Sequence, residues 1–118
     1  MHPRRLARLN ELILQKVSQD VLNLKDPGIG FITITGAEIS QDVSTARIYY
    51  SVLGTPAERA ETAEALERAK PHIRHAVGQL ENLRRVPHLV FLFDESVERS
   101  ARISGLLNKI KQEENGPV

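Results

Sequence analysis

Apolar residues return at steps of three and four over residues 4–24. Leu6, Leu9, Ile13, Val17 and Val21 form one stripe, widened by Leu12 and Leu14, with Arg4, Arg8, Glu11 and Gln15 opposite. This spacing predicts an amphipathic helix lying across a sheet. Lys25-Asp26-Pro27-Gly28 stops it, because proline cannot continue the hydrogen-bond ladder and glycine tolerates turn geometry. The pattern then changes period. Phe31 to Thr35 is rich in β-branched residues and predicts a strand running to Ile39. In Ala46 to Val52, Ala46, Ile48, Tyr50 and Val52 share one face and Arg47, Tyr49 and Ser51 the other. The short link Ser40 to Ser44 makes the two an antiparallel hairpin.

Gly54 closes the second strand, and Thr55-Pro56-Ala57-Glu58 combines an N-cap, a first-turn proline and a glutamate three residues after the cap. A helix is expected over 56–69, with Ala60, Ala63 and Leu66 inward. Pro71 removes a backbone donor and disfavours helical geometry at Lys70, so a break or kink is expected at 69–71. A second helix should follow over 71–85, carrying Ile73, Ala76, Val77, Leu80 and Leu83. Pro87 ends it. Leu89 to Phe93 is apolar at every position, as in a strand covered on both faces or central in a sheet. Asp94-Glu95-Ser96 suits a helix start, and Ile103, Leu106, Leu107 and Ile110 supply its apolar face. Glu113 to Val118 should fray.

The expected architecture is α+β, in the order α-β-β-α-kink-α-β-α, with a three-stranded sheet covered by helices on one face. Residues 1–112 make a single domain and 113–118 a tail. Ile48, Val77, Leu80, Phe91 and Leu107 are expected in the core.

Composition narrows the chemistry. The 118 residues are 41% hydrophobic and 26% charged, which argues against disorder. Cysteine is absent, which excludes disulfides, thiol nucleophiles and cysteine-ligated metals. No apolar run approaches the ~18 residues of a membrane span, so a soluble, cytoplasmic protein is expected. His72 and His75 share a spacing that can ligate metal, but no third ligand stands nearby in the sequence. Gly28-Ile29-Gly30 precedes a strand and reads as a turn, and no nucleophile elbow, phosphate loop or dinucleotide fingerprint occurs.

Charge is informative through its distribution, since the net value is only +1. Glu58, Glu61, Glu64 and Glu67 give way to Arg68, Lys70, Arg74, Arg84 and Arg85, so the sign flips near the expected kink. On a helix over 71–85, Arg74, His75, Gly78, Asn82 and Arg85 lie opposite the apolar stripe. A helix N-terminus at the kink would add anion-binding N–H groups. Arg4, Arg5 and Arg8 form a second basic cluster. Arg74, His75, Arg85 and Lys70, with Arg4 and Arg8, are therefore the candidate RNA contacts, made to backbone more than to stacked bases. Tyr49 is the one aromatic expected to face outward.

At this point the chain resembles the bacterial ribosome-binding factor A family, from about Arg4 to Ile110. Lys25-Asp26-Pro27-Gly28-Ile29-Gly30 is similar to that family's turn before the first strand. Ile39-Ser40-Gln41-Asp42 with Ala46-Arg47-Ile48-Tyr49 resembles its hairpin. Leu83-Arg84, Pro87, Leu89, Phe91, Asp94 and Ser96 resemble its last strand and the start of its final helix. The resemblance implies a type II KH-like domain in which an Ala-x-Gly kink between helices replaces the KH loop. The matching positions are Ala69-Lys70-Pro71, where Pro71 departs from the glycine. It further implies a monomeric, non-catalytic assembly factor without a cofactor. Such a factor would bind the small (30S) ribosomal subunit and its 16S rRNA precursor near the 5′ end, assisting rRNA processing and cold adaptation. Two other readings compete: a KH-like protein–protein module without direct RNA contact, and a metal-dependent nuclease using His72 and His75.

Overall fold

The computed structural model describes residues 2–80 and 83–96. The expected final helix with Leu107, the tail 113–118, and Asn82 lie outside the described residues.

Helix α1 spans Pro3–Leu22. His2 caps it, its ring Nδ1 accepting the Arg4 N–H at 3.2 Å. The predicted stripe is its buried face: Leu9, Ile13, Val17 and Val21. The chain then turns through Asp26 to Gly30, and this turn is fastened to a helix far along the sequence. Asp26 receives both Nε (3.0 Å) and Nη2 (3.2 Å) of Arg68, while Thr62 Oγ1 accepts the Gly30 N–H at 3.3 Å. The Arg68 guanidinium and the Gly28 N–H hold the Asp26 carboxyl below its ordinary pKa. A side chain at Gly28 would crowd Arg68 and Ala65, which explains a glycine there.

Strands β1 (Phe31–Ile39) and β2 (Thr45–Leu53) pair antiparallel, from Phe31 opposite Leu53 to Ile39 opposite Ala46, with a bulge at Thr35. In the hairpin turn Val43 adopts φ 60°, a conformation unfavourable for a β-branched residue. Two features hold it there. The Val43 side chain packs against the core, and the Asp42 carboxylate accepts both serine hydroxyls of Ser40 and Ser44 and the Ser44 N–H. Those hydrogen bonds lower the Asp42 pKa to about 2.

Helix α2 spans Pro56–Gly78 and opens with the predicted capping box between Thr55 and Glu58. The expected two-helix junction is absent: one helix runs unbroken through Pro71 and ends at Gly78, not at residue 85. Proline deletes the ladder bond to Glu67, but Leu66, Ile73 and Val77 are fully buried on either side of it. Their burial outweighs one lost hydrogen bond. Pro71→Ala restores the N–H and should raise Tm. The gain should be about 1 kcal/mol, the net worth of one restored backbone hydrogen bond. Thermal melts of the two proteins check this. The inward face is Thr62, Ala65, Leu66, Ile73 and Val77; Leu66 is inward as expected, whereas Ala60 is exposed and Ala63 only half-buried.

Strand β3 (His88–Phe93) runs parallel to β2, giving a mixed sheet in the order β1-β2-β3. Among the described residues it is an edge strand with one open face, neither central nor covered on both faces as its composition suggests. Leu89 is buried under the helices, with Phe91 and Phe93 half-buried, whereas Val90 and Leu92 are exposed on the open face. The helices cover the other face, where Ala46, Ile48, Tyr50 and Val52 of β2 meet α1 and α2. Ile48 and Val77 are core residues as expected; Leu80 and Phe91 are only half-buried against that core. Among the described residues no helix is long and apolar enough to cross a membrane.

Candidate nucleic-acid interface

Three strand termini meet at one end of the sheet: the end of β1 and the starts of β2 and β3. Both helices reach the same end. The Ile39 N–H donates to Asn10 Oδ1 of α1 at 2.8 Å, and the His88 N–H donates to the Ser44 carbonyl at 2.9 Å. From the last turns of α2, Arg74 donates Nε to the Pro87 carbonyl (3.2 Å) and Nη2 to the Val86 carbonyl (3.0 Å). The first turns of α1, the hairpin turn 40–44, the last turn of α2 and the 83–87 loop thus share one end. Exposed Arg4, Arg5, Arg8, His75, Arg84 and Arg85 stand on these pieces, and exposed His88 begins β3 at the same end. The two basic clusters of the sequence are one end of the molecule.

The candidate residues divide in two. Arg4, Arg8, His75 and Arg85 are exposed at this end. Arg74 is half-buried and committed to the loop carbonyls, so it is not the exposed contact expected of it. Lys70 pairs with Glu67 at 2.8 Å, and its ammonium lies 5.9 Å from the Phe91 ring centre. The anion-binding helix N-terminus expected at Ala69-Lys70-Pro71 does not exist, because those residues are inside α2. Arg85 belongs to the loop rather than to a helical strip, since α2 ends before it. Exposed His88 was not among the candidates; a lone histidine beginning an apolar strand carries no local signal of the end it joins.

The histidine pair does not converge. His72 Nε2 faces Asp20 Oδ1 at 3.5 Å, while His75 Nε2 stands 3.4 Å from Gln79. Among the described residues no three potential ligands cluster. Tyr49 lies half-buried on the open sheet face opposite Gly36, with Arg47 and Leu92 on the same face. Arg47 is itself paired with Glu38 at 3.5 Å.

Helices packed on one face of a small mixed sheet, with cations gathered at one end, define an α+β domain with a basic end. The comparisons place it more narrowly. The family model described as ribosome-binding factor A matches residues 5–107, and the chain belongs to that family. The ribosome-binding factor A of Halothermothrix orenii is 42% identical over 115 residues, which cover 97% of this chain and 94% of the relative. The solution structure of a putative ribosome-binding factor A from Thermotoga maritima is 36% identical with a TM-score of 0.70, covering 83% of this chain and 95% of that one. The Thermus thermophilus homology model fitted into the map of a 30S–RbfA complex shares the fold, with a TM-score of 0.64 at 23% identity, over 76% of this chain and 96% of that one.

Proposed function

We propose that this protein is a non-catalytic assembly factor that binds the small ribosomal subunit through its basic end. It would act in the cytoplasm as a monomer, without a cofactor. Its target would be the 16S rRNA precursor near the 5′ end, where it assists processing. The observation that carries this reading is the convergence of Arg4, Arg8, Arg84 and Arg85 on one end of the fold, although Arg4 and Arg85 lie 81 positions apart in sequence. Family membership and the relative fitted into a 30S complex support it. Guanidinium groups suit the task because each can hold two phosphate oxygens. Contacts of this kind position a protein on RNA without reading bases.

The test is subunit binding at several salt concentrations. Arg84→Glu with Arg85→Glu should weaken binding and flatten the log–log salt slope by about 0.7–0.9 per lost phosphate contact. Arg4→Glu with Arg8→Glu should do the same, and circular dichroism should be unchanged for both. Unaltered affinity and slope in both pairs would leave the alternative, a protein–protein module without direct RNA contact.

A further inference from the structure

The most exposed large apolar side chains among the described residues lie at the opposite end. Phe31 and Leu53 are 80% and 81% exposed and stand directly across from each other where β1 begins and β2 ends. Directly paired residues of an antiparallel pair project from the same face, so they form one patch. Leu22, 76% exposed in the last turn of α1, borders a shallow groove with Val21, Ile32 and Ile34. That groove follows the outer edge of β1, with which no strand pairs among the described residues. The bulge at Thr35 limits the regular edge to Phe31–Ile34. Natural proteins usually blunt such an edge; here apolar groups flank it instead.

The surroundings select the occupant. The Gly30 N–H bond to Thr62 sets the first turns of α2 beside the start of β1. Those turns expose Glu58, Glu61 and Glu64, and Glu58 packs against Gly54, next to Leu53. Glu61 and Glu64 form no salt bridge among the described residues. Carboxylates there repel nucleic acid. They favour a cationic polypeptide. We propose that the edge of β1, with Leu22, Phe31 and Leu53, docks an extended lysine- or arginine-rich polypeptide segment. An added strand gains main-chain hydrogen bonds from β1, and alternate apolar side chains reach the groove. The surface is separate from the basic end, so this inference does not depend on RNA binding there.

The test uses the full chain, isotope-labelled, with a short peptide alternating lysine and valine and its glutamate–valine counterpart. The lysine peptide should shift the amide resonances of residues 18–22, 31–34 and 53–61, and the glutamate peptide should not. Phe31→Ser with Leu53→Ser should weaken that binding about tenfold or more, the scale of one anchoring side chain. Glu61→Lys with Glu64→Lys should weaken it too and remove its salt dependence. All four side chains are exposed, so the folded spectrum should persist. No shift at 31–34 with the lysine peptide, or equal shifts with both peptides, overturns the proposal. So does an RNA oligonucleotide that shifts the same residues, or self-association of the chain that Phe31→Ser abolishes. Failure at this surface would leave the salt-slope test on Arg84 and Arg85 unaffected.

Discussion

Ile48→Ala should lower stability by about 2–5 kcal/mol, a large share of what a small domain possesses. Ile48 is fully buried on β2, the central strand, with Ala37 of β1 and Phe91 of β3 as its register neighbours. Both flanking strands are tied to β2 by ladder bonds, and α1 and α2 cover the face above. Neither side can collapse into the space left by the lost carbons, which puts the cost in the upper part of that range. Leu80→Ala should cost less, because Leu80 is half-buried in the chain just past α2 and water already reaches part of it. Phe91, half-buried on an edge strand, should likewise fall below a fully buried aromatic. Urea unfolding followed by circular dichroism measures all three. A loss for Ile48→Ala no larger than for Leu80→Ala would contradict the burial difference.

Arg74→Ala should destabilise the fold by about 1.5–3 kcal/mol, the range for hydrogen bonds to a charged group. Its guanidinium bridges the Val86 and Pro87 carbonyls and so fixes the loop that returns the chain from α2 to β3. Pro87 is buried and Val86 half-buried, so removing the donors leaves acceptors with poor access to water. Arg74→Lys should recover only part of the loss, because an ammonium cannot reproduce the planar fork. Arg85→Ala, at an exposed position with no such bonds among the described residues, should stay within about 0.5 kcal/mol of the parent. Thermal melts of the three variants separate these outcomes. An RNA-binding experiment that replaces Arg74 and Arg85 together would confuse lost contact with lost structure. Replacing Arg84 and Arg85 avoids that.

Local physics made much of the chain legible from its sequence. The stripe Leu9, Ile13, Val17, Val21 fixes both the existence and the inner face of α1, because three- and four-residue steps can only align on a helix. Alternation over Ala46–Val52 does the same for β2, and the Thr55–Glu58 box marks the start of α2 because its bonds join residues three apart. The family resemblance was likewise written in the order and spacing of short segments.

What the sequence left open concerns which surface covers which. A proline at position 71 signals a break by every local rule, yet burial of Ile73 and Val77 in the core shared with α1 and the sheet carries the helix through it. The all-apolar run Leu89–Phe93 shows that a strand forms but not whether it lies at the centre or the edge, since that depends on what pairs beyond it. Arg68 and Arg74 both appear as free cations in the sequence. Only the fold shows that Arg68 holds Asp26 and that Arg74 holds two carbonyls of the return loop. Such bonds join positions far apart and leave no periodic signature. The basic end has the same origin. Arg4 and Arg85 are separated by about two-thirds of the chain, and only the antiparallel course of α1 and β1, with the return of α2 to the start of β3, brings their charges together, because electrostatic potential follows distance in space rather than in sequence.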